Sequence, residues 1–188
     1  MQTEILLQSL IEAERQVIEK AKQLKTIDLL YLSQRQDKDS WTILECLQHL
    51  NLYGEFYLPQ IEKEIQRSAT KGEAEFTSGF LGNYFAKMML PKDKINKMKT
   101  FKDKNPVNET LDKTVIDKFI DQQLKLVELL DKTKNISLNK IRVKTSISTM
   151  IRLKLGDTFQ FFINHIQRHL KQIERIEADI KYSKAFVK

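Results

Sequence analysis

The feature that most constrains the fold is a helical spacing of apolar residues, which recurs over four long segments of the chain. In the first segment this spacing predicts a helix from about Thr3 to Leu24. In the second, Ser40 is a plausible N-cap, and the helical pattern continues for about six turns. Pro59 lies inside this second helix, which it could kink without ending.

The last two helices are predicted in the second half of the chain. The third segment, "ETLDKTVIDKFIDQQLKLVELLDK", has apolar residues on one recurring face. The fourth begins after Gly156, with Asp157 as a good N-cap, and continues to about Lys181. Residues 135–155 between them alternate β-branched and basic side chains in places, and we expect a loop or a short helix there.

A long connection separates the second and third helices. Three of the five glycines and two of the three prolines fall between residues 69 and 107, around one apolar island, "FLGNYFAKMML". This composition predicts an extended crossover that carries one short helix. Four long amphipathic helices joined in this way indicate an all-α fold, most economically a four-helix bundle, in a single domain spanning residues 1–188.

Composition indicates a cellular compartment. The single cysteine, Cys46, cannot form an internal disulfide, so nothing in the chain calls for an oxidising compartment. The first residues carry acids and no basic leader, which is typical of a mature helix rather than a signal peptide. No apolar run approaches the roughly 20 residues that a membrane span requires. We therefore expect a cytoplasmic protein without a membrane partner.

The net charge of +7 raises the question of nucleic-acid binding. Seven lysines and two aspartates lie between residues 87 and 104, and this basic segment supplies most of the excess charge. It contains no arginine, no glycine–aromatic signature and no interleaved aromatic residues. A solvated surface loop is therefore the favoured interpretation, and nucleic-acid binding has only the charge in its favour.

The chain has three histidines, His49 in the second predicted helix and His165 and His169 in the fourth. Residues four positions apart lie about 40° apart around a helix, so both imidazoles of the pair can reach one point. All three lie among apolar residues, and helix bundles build metal sites from side chains on facing helices. Three imidazoles would leave a coordination position open for water or substrate. The alternative is three unrelated histidines, because spacing alone does not show that His49 faces the pair.

Two blocks of the sequence resemble the DinB-like superfamily, the damage-inducible family that includes YfiT-type proteins and bacillithiol transferases. The stretch "SWTILECLQHL", residues 40–50, resembles the W-[ST]-x-x-[EQ]-x-L-x-H-L entry to the second helix of that family. The stretch "LGDTFQFFINHIQRHLKQIERI", residues 155–176, is similar to the family's fourth helix, with H-x-x-x-H followed by Q-I-x-R-I. The blocks occur in the expected order, and the resemblance covers essentially the whole chain.

The resemblance implies an up-down-down-up bundle in which the long crossover joins the second and third helices. It makes His49, His165 and His169 the ligands of a divalent transition metal, such as zinc or nickel. Family members often form homodimers, and characterised relatives include metal-dependent thiol S-transferases and a mycothiol-dependent isomerase. No motif for a thiol cosubstrate accompanies the two blocks, so the resemblance assigns that activity to no residue here.

Four other side chains are expected near His49. Glu45, one turn before it, could orient the His49 ring or act as a general base, or could be an ordinary helix-stabilising acid. Tyr53, one turn after it, could line the pocket and donate a hydrogen bond, or could pack in the core. We expect Cys46 to be a small buried hydrophobe rather than a ligand or nucleophile, and Trp41 to be a structural anchor.

Two functional hypotheses follow. The first is a cytoplasmic metal-dependent enzyme that transfers a low-molecular-weight thiol to a small electrophilic compound, or hydrolyses such a compound. The second is a non-catalytic, stress-related module that binds a metal or another protein. The sequence predicts neither the substrate nor the role of the basic segment.

Overall fold

The computed structural model describes residues 1–38, 40–91, 100–148 and 150–185, and within these ranges the predicted all-α architecture is confirmed. The described elements are six α-helices, one 3-10 turn and one short β-hairpin. In chain order they are α1 (Thr3–Lys25), α2 (Leu29–Leu32), α3 (Ile43–Gln66), α4 (Phe80–Met89), the 3-10 turn (Lys102–Lys104), α5 (Thr114–Lys132), β1 (Arg142–Lys144), β2 (Arg152–Lys154) and α6 (Leu155–Ala185).

Helices α3 and α5 run parallel to each other. Lys118 of α5 pairs with Glu55 of α3, and two turns further along both helices Lys125 pairs with Glu62 at 2.6 Å. Because the two helices are parallel, the chain that leaves the end of α3 must return to the end of the bundle where α3 began before α5 can start. Residues 67–113 connect the two helices in this way. Helix α4 lies within the crossover and packs against α6.

Helices α1 and α6 run in the opposite direction. Lys25, at the end of α1, pairs with Asp117 near the start of α5, so these two helices are antiparallel. Lys20, near the C-terminal end of α1, pairs at 2.6 Å with Glu177 in the C-terminal half of α6. The C-terminal ends of these two helices therefore lie together. Helices α1 and α3 each pack against both α5 and α6. The order is therefore up-down-down-up, as the resemblance implies.

Two predicted N-caps are wrong. The cap of α3 is Thr42 rather than Ser40, because the Thr42 hydroxyl accepts from the Glu45 N–H while the Glu45 carboxylate accepts from the Thr42 N–H. Asp157 lies inside the first turn of α6, which begins at residue 155. Its carboxylate accepts a hydrogen bond from the Gly79 N–H instead, and so ties the start of α4 to α6.

The expected loop or short helix over residues 135–155 is also wrong. Strands β1 and β2 pair antiparallel there, with Val143 opposite Leu153. Both of these residues are buried while their neighbours along the strands are not, so the alternation is that of a hairpin with one buried face. The Ser146 backbone N–H, just after β1, donates to the Tyr57 hydroxyl of α3 and ties the hairpin to the bundle.

The core lies between the four long helices and is rich in aromatic residues. Its largest fully buried side chains include Tyr57, Phe76, Phe119, Phe159, Phe161 and Phe162. Pro59 lies inside α3, which continues to Gln66, so the prediction that this proline does not end the helix is confirmed. The aromatic rings of Phe161 and Tyr57 bring the core up to the three histidines described below.

Two further sequence features concern charge and hydropathy. The basic segment 87–104 is described only at its two ends, because residues 92–99 lie outside the described ranges. At its C-terminal end, the Lys104 ammonium pairs with the Asp103 carboxylate at 3.0 Å.

Among the described helices, none combines the length and the apolar character needed to cross a membrane.

Candidate metal centre

Helices α3 and α6 bring the three histidines together. His49 lies in the second turn of α3, and His165 and His169 lie one turn apart in α6. Their candidate ligand nitrogens all lie within 4.8 Å of one another. The Nε2 atoms of His49 and His165 are 3.3 Å apart, and those of His165 and His169 are 3.0 Å apart. Nitrogens bound at about 2.0–2.1 Å in a tetrahedral zinc site lie about 3.3 Å from each other, which is close to the spacing of these two pairs.

Hydrogen bonds at Nδ1 hold two of the rings. The Nδ1 of His49 lies 2.6 Å from the Lys104 carbonyl oxygen, and the Nδ1 of His169 lies 3.0 Å from Oε1 of Gln172. Because a carbonyl oxygen can only accept, both Nδ1 atoms carry the proton in these bonds. The Nε2 atoms of both neutral rings therefore carry lone pairs, and these lone pairs face His165.

Hydrogen bonds between the three rings cannot satisfy all of these nitrogen lone pairs. The Nε2 of His165 could donate a single proton, either to His49 or to His169, and the Nε2 lone pair of the other ring would remain unsatisfied. The Nδ1 of His165 is buried and has no hydrogen-bond partner among the described residues. With the proton on that Nδ1, three lone pairs converge on one point, which is the arrangement that a cation satisfies. The three-histidine group could therefore hold a metal ion.

Burial keeps the imidazoles neutral. His49 and His165 are 3% and 5% exposed, and His169 is of intermediate exposure. Burial lowers the pKa of His49 from 6.5 to about 4. Burial, with a smaller contribution from the neighbouring histidines, lowers the pKa values of His165 and His169 well below 6.5. All three rings are therefore uncharged at neutral pH, with one nitrogen of each ring free of a proton, the form in which histidine binds metals.

Two aromatic side chains lie against the histidines. Trp41 stacks on His169 with ring centroids 5.8 Å apart, and its ring is tilted against His49 at 4.7 Å. The Tyr53 ring lies 4.9 Å from that of His49 and 4.6 Å from that of His165. Burial raises the pKa of Tyr53 to about 12, so its phenol is neutral and can donate a hydrogen bond at neutral pH. Trp41, expected to be an anchor, thus contacts the histidines directly.

The carboxylate of Glu45 is directed away from the histidines, although the residue lies one turn from His49. Besides capping α3, it accepts a hydrogen bond from the Asn108 N–H at 2.7 Å. It also pairs with the Arg35 guanidinium at 2.6 Å. In the part of the chain that the structure describes, these partners occupy the carboxylate, and His49 is oriented by Lys104 instead.

Sequence reasoning missed the two groups that orient the rings. Gln172 follows His169 by three positions on α6, and this helical spacing could have identified it. Lys104 acts through its backbone carbonyl and lies 55 positions from His49. A backbone carbonyl is common to every residue type, so no signal in the sequence could have indicated this contact.

Cys46 lies outside the metal centre. It is fully buried, and burial raises the pKa of its thiol, to which the neighbouring Glu45 carboxylate adds. A neutral buried thiol is a poor nucleophile and a poor metal ligand. The prediction that Cys46 is a small buried hydrophobe is confirmed.

Comparison with known proteins identifies a family. A family model described as the DinB superfamily matches residues 10–173, a range that includes all three histidines. No curated protein and no solved structure shows a significant match to the chain. Since the family model covers most of the 188 residues, and since the up-down-down-up bundle agrees with it, the chain belongs to the DinB superfamily.

Proposed function

We propose that this protein binds one divalent transition-metal ion through His49, His165 and His169, and uses it to transfer a low-molecular-weight thiol to a small electrophilic compound or to hydrolyse such a compound. The observation that supports this proposal is the convergence of three neutral imidazoles whose lone pairs the described hydrogen bonds do not satisfy. Zinc or nickel is expected, because imidazole nitrogen is a good ligand for both.

A divalent ion in this position would act as a Lewis acid that lowers the pKa of a thiol or water molecule, giving a nucleophile near neutral pH. The contribution of the chain is to prepare the ligands. The Lys104 carbonyl and the Gln172 side chain hold the Nδ1 protons of His49 and His169, which leaves each Nε2 free to bind. Three protein ligands leave room in the coordination sphere for a substrate.

Tyr53 and Trp41 are proposed to shape the approach to the site. Tyr53 is 7% exposed and lies beside two of the ligand rings, where its neutral hydroxyl can donate a hydrogen bond to a bound small molecule. Trp41 is of intermediate exposure and covers faces of His49 and His169. Together the two rings limit the access of water to the imidazoles and would favour a substrate with an apolar group.

The expected partners are a small-molecule substrate and a second copy of the chain. We propose a homodimer because DinB-like proteins often form one, and neither a nucleic acid nor a membrane is expected as a partner. Sedimentation equilibrium of the purified protein would test the dimer directly. A single species with the 22.2 kDa mass of one chain at micromolar concentration would contradict it.

Metal analysis tests the binding part of the proposal. Protein purified without a histidine tag, and then dialysed against zinc or nickel, should contain about one ion per chain. His169→Ala should lose the ion and keep its helical circular dichroism, while Lys171→Ala, an exposed position on the same helix, should behave like the parent protein. A parent protein that stays metal-free would refute the proposal, and metal retention in His169→Ala would show that the ligands are wrong.

Turnover is tested separately. Metal-loaded protein would be incubated with a panel of low-molecular-weight thiols and electrophiles, with chelator-treated protein and His169→Ala as controls. Product formation that depends on both the metal and the histidine is expected. Metal binding without turnover across the panel would instead favour the non-catalytic metal-binding module.

A further inference from the structure

Two side chains of α3 hold the same short segment of the crossover. The His49 ring donates from Nδ1 to the Lys104 carbonyl oxygen at 2.6 Å, and the Asn108 N–H donates to the Glu45 carboxylate at 2.7 Å. Glu45 and His49 are four positions apart and therefore lie on one face of the helix, one turn from each other. The segment 104–108 is thus attached to α3 at both of its ends.

The attachment at Glu45 is a strong one. The carboxylate is 2% exposed, and its charge is compensated by the Arg35 guanidinium at 2.6 Å. Hydrogen bonds to a charged, buried acceptor are shorter and stronger than those between neutral groups. Asn108 meets the carboxylate in the left-handed region, with φ at 66°, which asparagine tolerates better than most residues. Pro106 restricts the backbone between the two attachment points.

We propose that Glu45 is a positioning residue of the metal centre, which acts through the segment 104–108 to hold the Lys104 carbonyl against the Nδ1 of His49. This inference rests on the proposed metal-binding function. The Lys104 carbonyl selects the tautomer in which the Nε2 of His49 is free to bind. Glu45 therefore influences a ligand that its own carboxylate does not touch.

A purely structural role is the alternative, because Glu45 also completes the capping box of α3. Two substitutions distinguish the capping role of Glu45 from its positioning role. Glu45→Gln keeps the shape of the side chain but loses the charge and an acceptor, and so weakens the bond to Asn108. Thr42→Val removes the hydroxyl that caps the Glu45 N–H and leaves the Asn108 bond in place, so it is the matched control for helix capping.

A second pair of variants changes Asn108, the residue of segment 104–108 that donates to Glu45. Asn108→Pro removes the N–H that donates to Glu45 and, because proline fixes φ at about −65°, also abolishes the left-handed conformation of this exposed residue. It therefore detaches this end of the segment from Glu45. Asn108→Gly keeps that N–H and readily adopts the same positive φ. This pair contains no change in α3 or in a histidine, so it keeps the proposal testable if Glu45→Gln folds poorly.

Metal affinity is the first measurement. Zinc dissociation constants would be obtained by competition with a chromophoric chelator. Glu45→Gln and Asn108→Pro should bind zinc about 10- to 100-fold more weakly than the parent, the loss typical when a partner that orients a ligand is removed. Thr42→Val and Asn108→Gly should bind within about twofold of the parent. Equal weakening in Glu45→Gln and Thr42→Val, or parent-like affinity in Asn108→Pro, would overturn the proposal.

The second measurement needs no metal. Nitrogen NMR of the metal-free protein would report the tautomer of His49, which should carry its proton on Nδ1 in the parent and in Asn108→Gly. The signal should become a mixture of tautomers in Glu45→Gln and Asn108→Pro, and an unchanged signal would contradict the positioning role. If the parent bound no zinc, the proposed function would fail while this readout still decided the link between Glu45 and His49.

Discussion

Glu14 offers the sharpest test of the bundle's energetics. It lies in α1, is 0% exposed, and neither of its carboxylate oxygens has a hydrogen-bond partner among the described residues. Burial raises its pKa from 4.5 to about 8. The folded protein therefore holds a proton on Glu14 at neutral pH that the unfolded chain has released. The informative change is Glu14→Gln, which keeps the shape of the protonated acid and removes the titration.

The sign and size of the effect follow from linkage between protonation and folding. Because the folded form binds this proton more tightly than the unfolded chain, the contribution of Glu14 to stability is complete below pH 4.5 and is lost as the pH rises toward 8. Each pH unit within this window corresponds to about 1.4 kcal/mol, so the parent should lose about 3 kcal/mol between pH 5 and pH 7 from Glu14 alone. Above pH 8 the loss should level off. Glu14→Gln should show none of this dependence.

The assay is urea unfolding followed by circular dichroism at pH values from 5 to 9, with chelator present so that metal binding does not contribute. The stability difference between Glu14→Gln and the parent should grow with pH by about 1.4 kcal/mol per unit up to pH 8. Taking the difference cancels the titration of the buried histidines. Glu12→Gln, an exposed position on the same helix, is the matched control and should give a flat difference. A flat difference for Glu14→Gln as well would refute the reasoning.

Three further predictions concern packing, reactivity and metal binding. Gly82→Ala should destabilise the protein by about 1–3 kcal/mol in urea unfolding, because its Cβ would lie 2.2 Å from the buried Asp157 carboxylate; a value equal to that of the exposed control Asn83→Ala would contradict this. Cys46 should resist a disulfide-exchange reagent until the protein unfolds, and rapid labelling of the native protein would show that the buried thiol is accessible. Zinc at about 100 times its Kd should raise the free energy of unfolding by about 2.7 kcal/mol. No such increase is expected in His169→Ala, and one of equal size there would mean that zinc binds elsewhere.

The features that could be predicted from sequence are those set by local spacing. The long helices follow from apolar residues that recur every three or four positions, and Pro59 lies inside α3 as expected. The N-caps were harder, since Ser40, Thr42 and Asp157 are all chemically suitable for capping. The choice of Thr42 depends on its reciprocal bonds with Glu45, and Asp157 is engaged by Gly79 of a distant element. The hairpin was missed because its strands have three residues each, too few for a decisive period.

The sequence by itself determined the helices, the bundle class and, through two short blocks, the superfamily, because amphipathic periodicity and motif spacing are properties of neighbouring positions. Helical spacing left open whether His49 meets His165, 116 positions away; the family resemblance implied this contact, and the tertiary structure shows it. Only the tertiary structure decided that a carbonyl of the crossover holds the His49 ring. It also turned Glu45 away from the histidines and toward the loop. These outcomes depend on how whole helices pack and on where buried polar groups find partners, and neither is encoded in the spacing of any single segment.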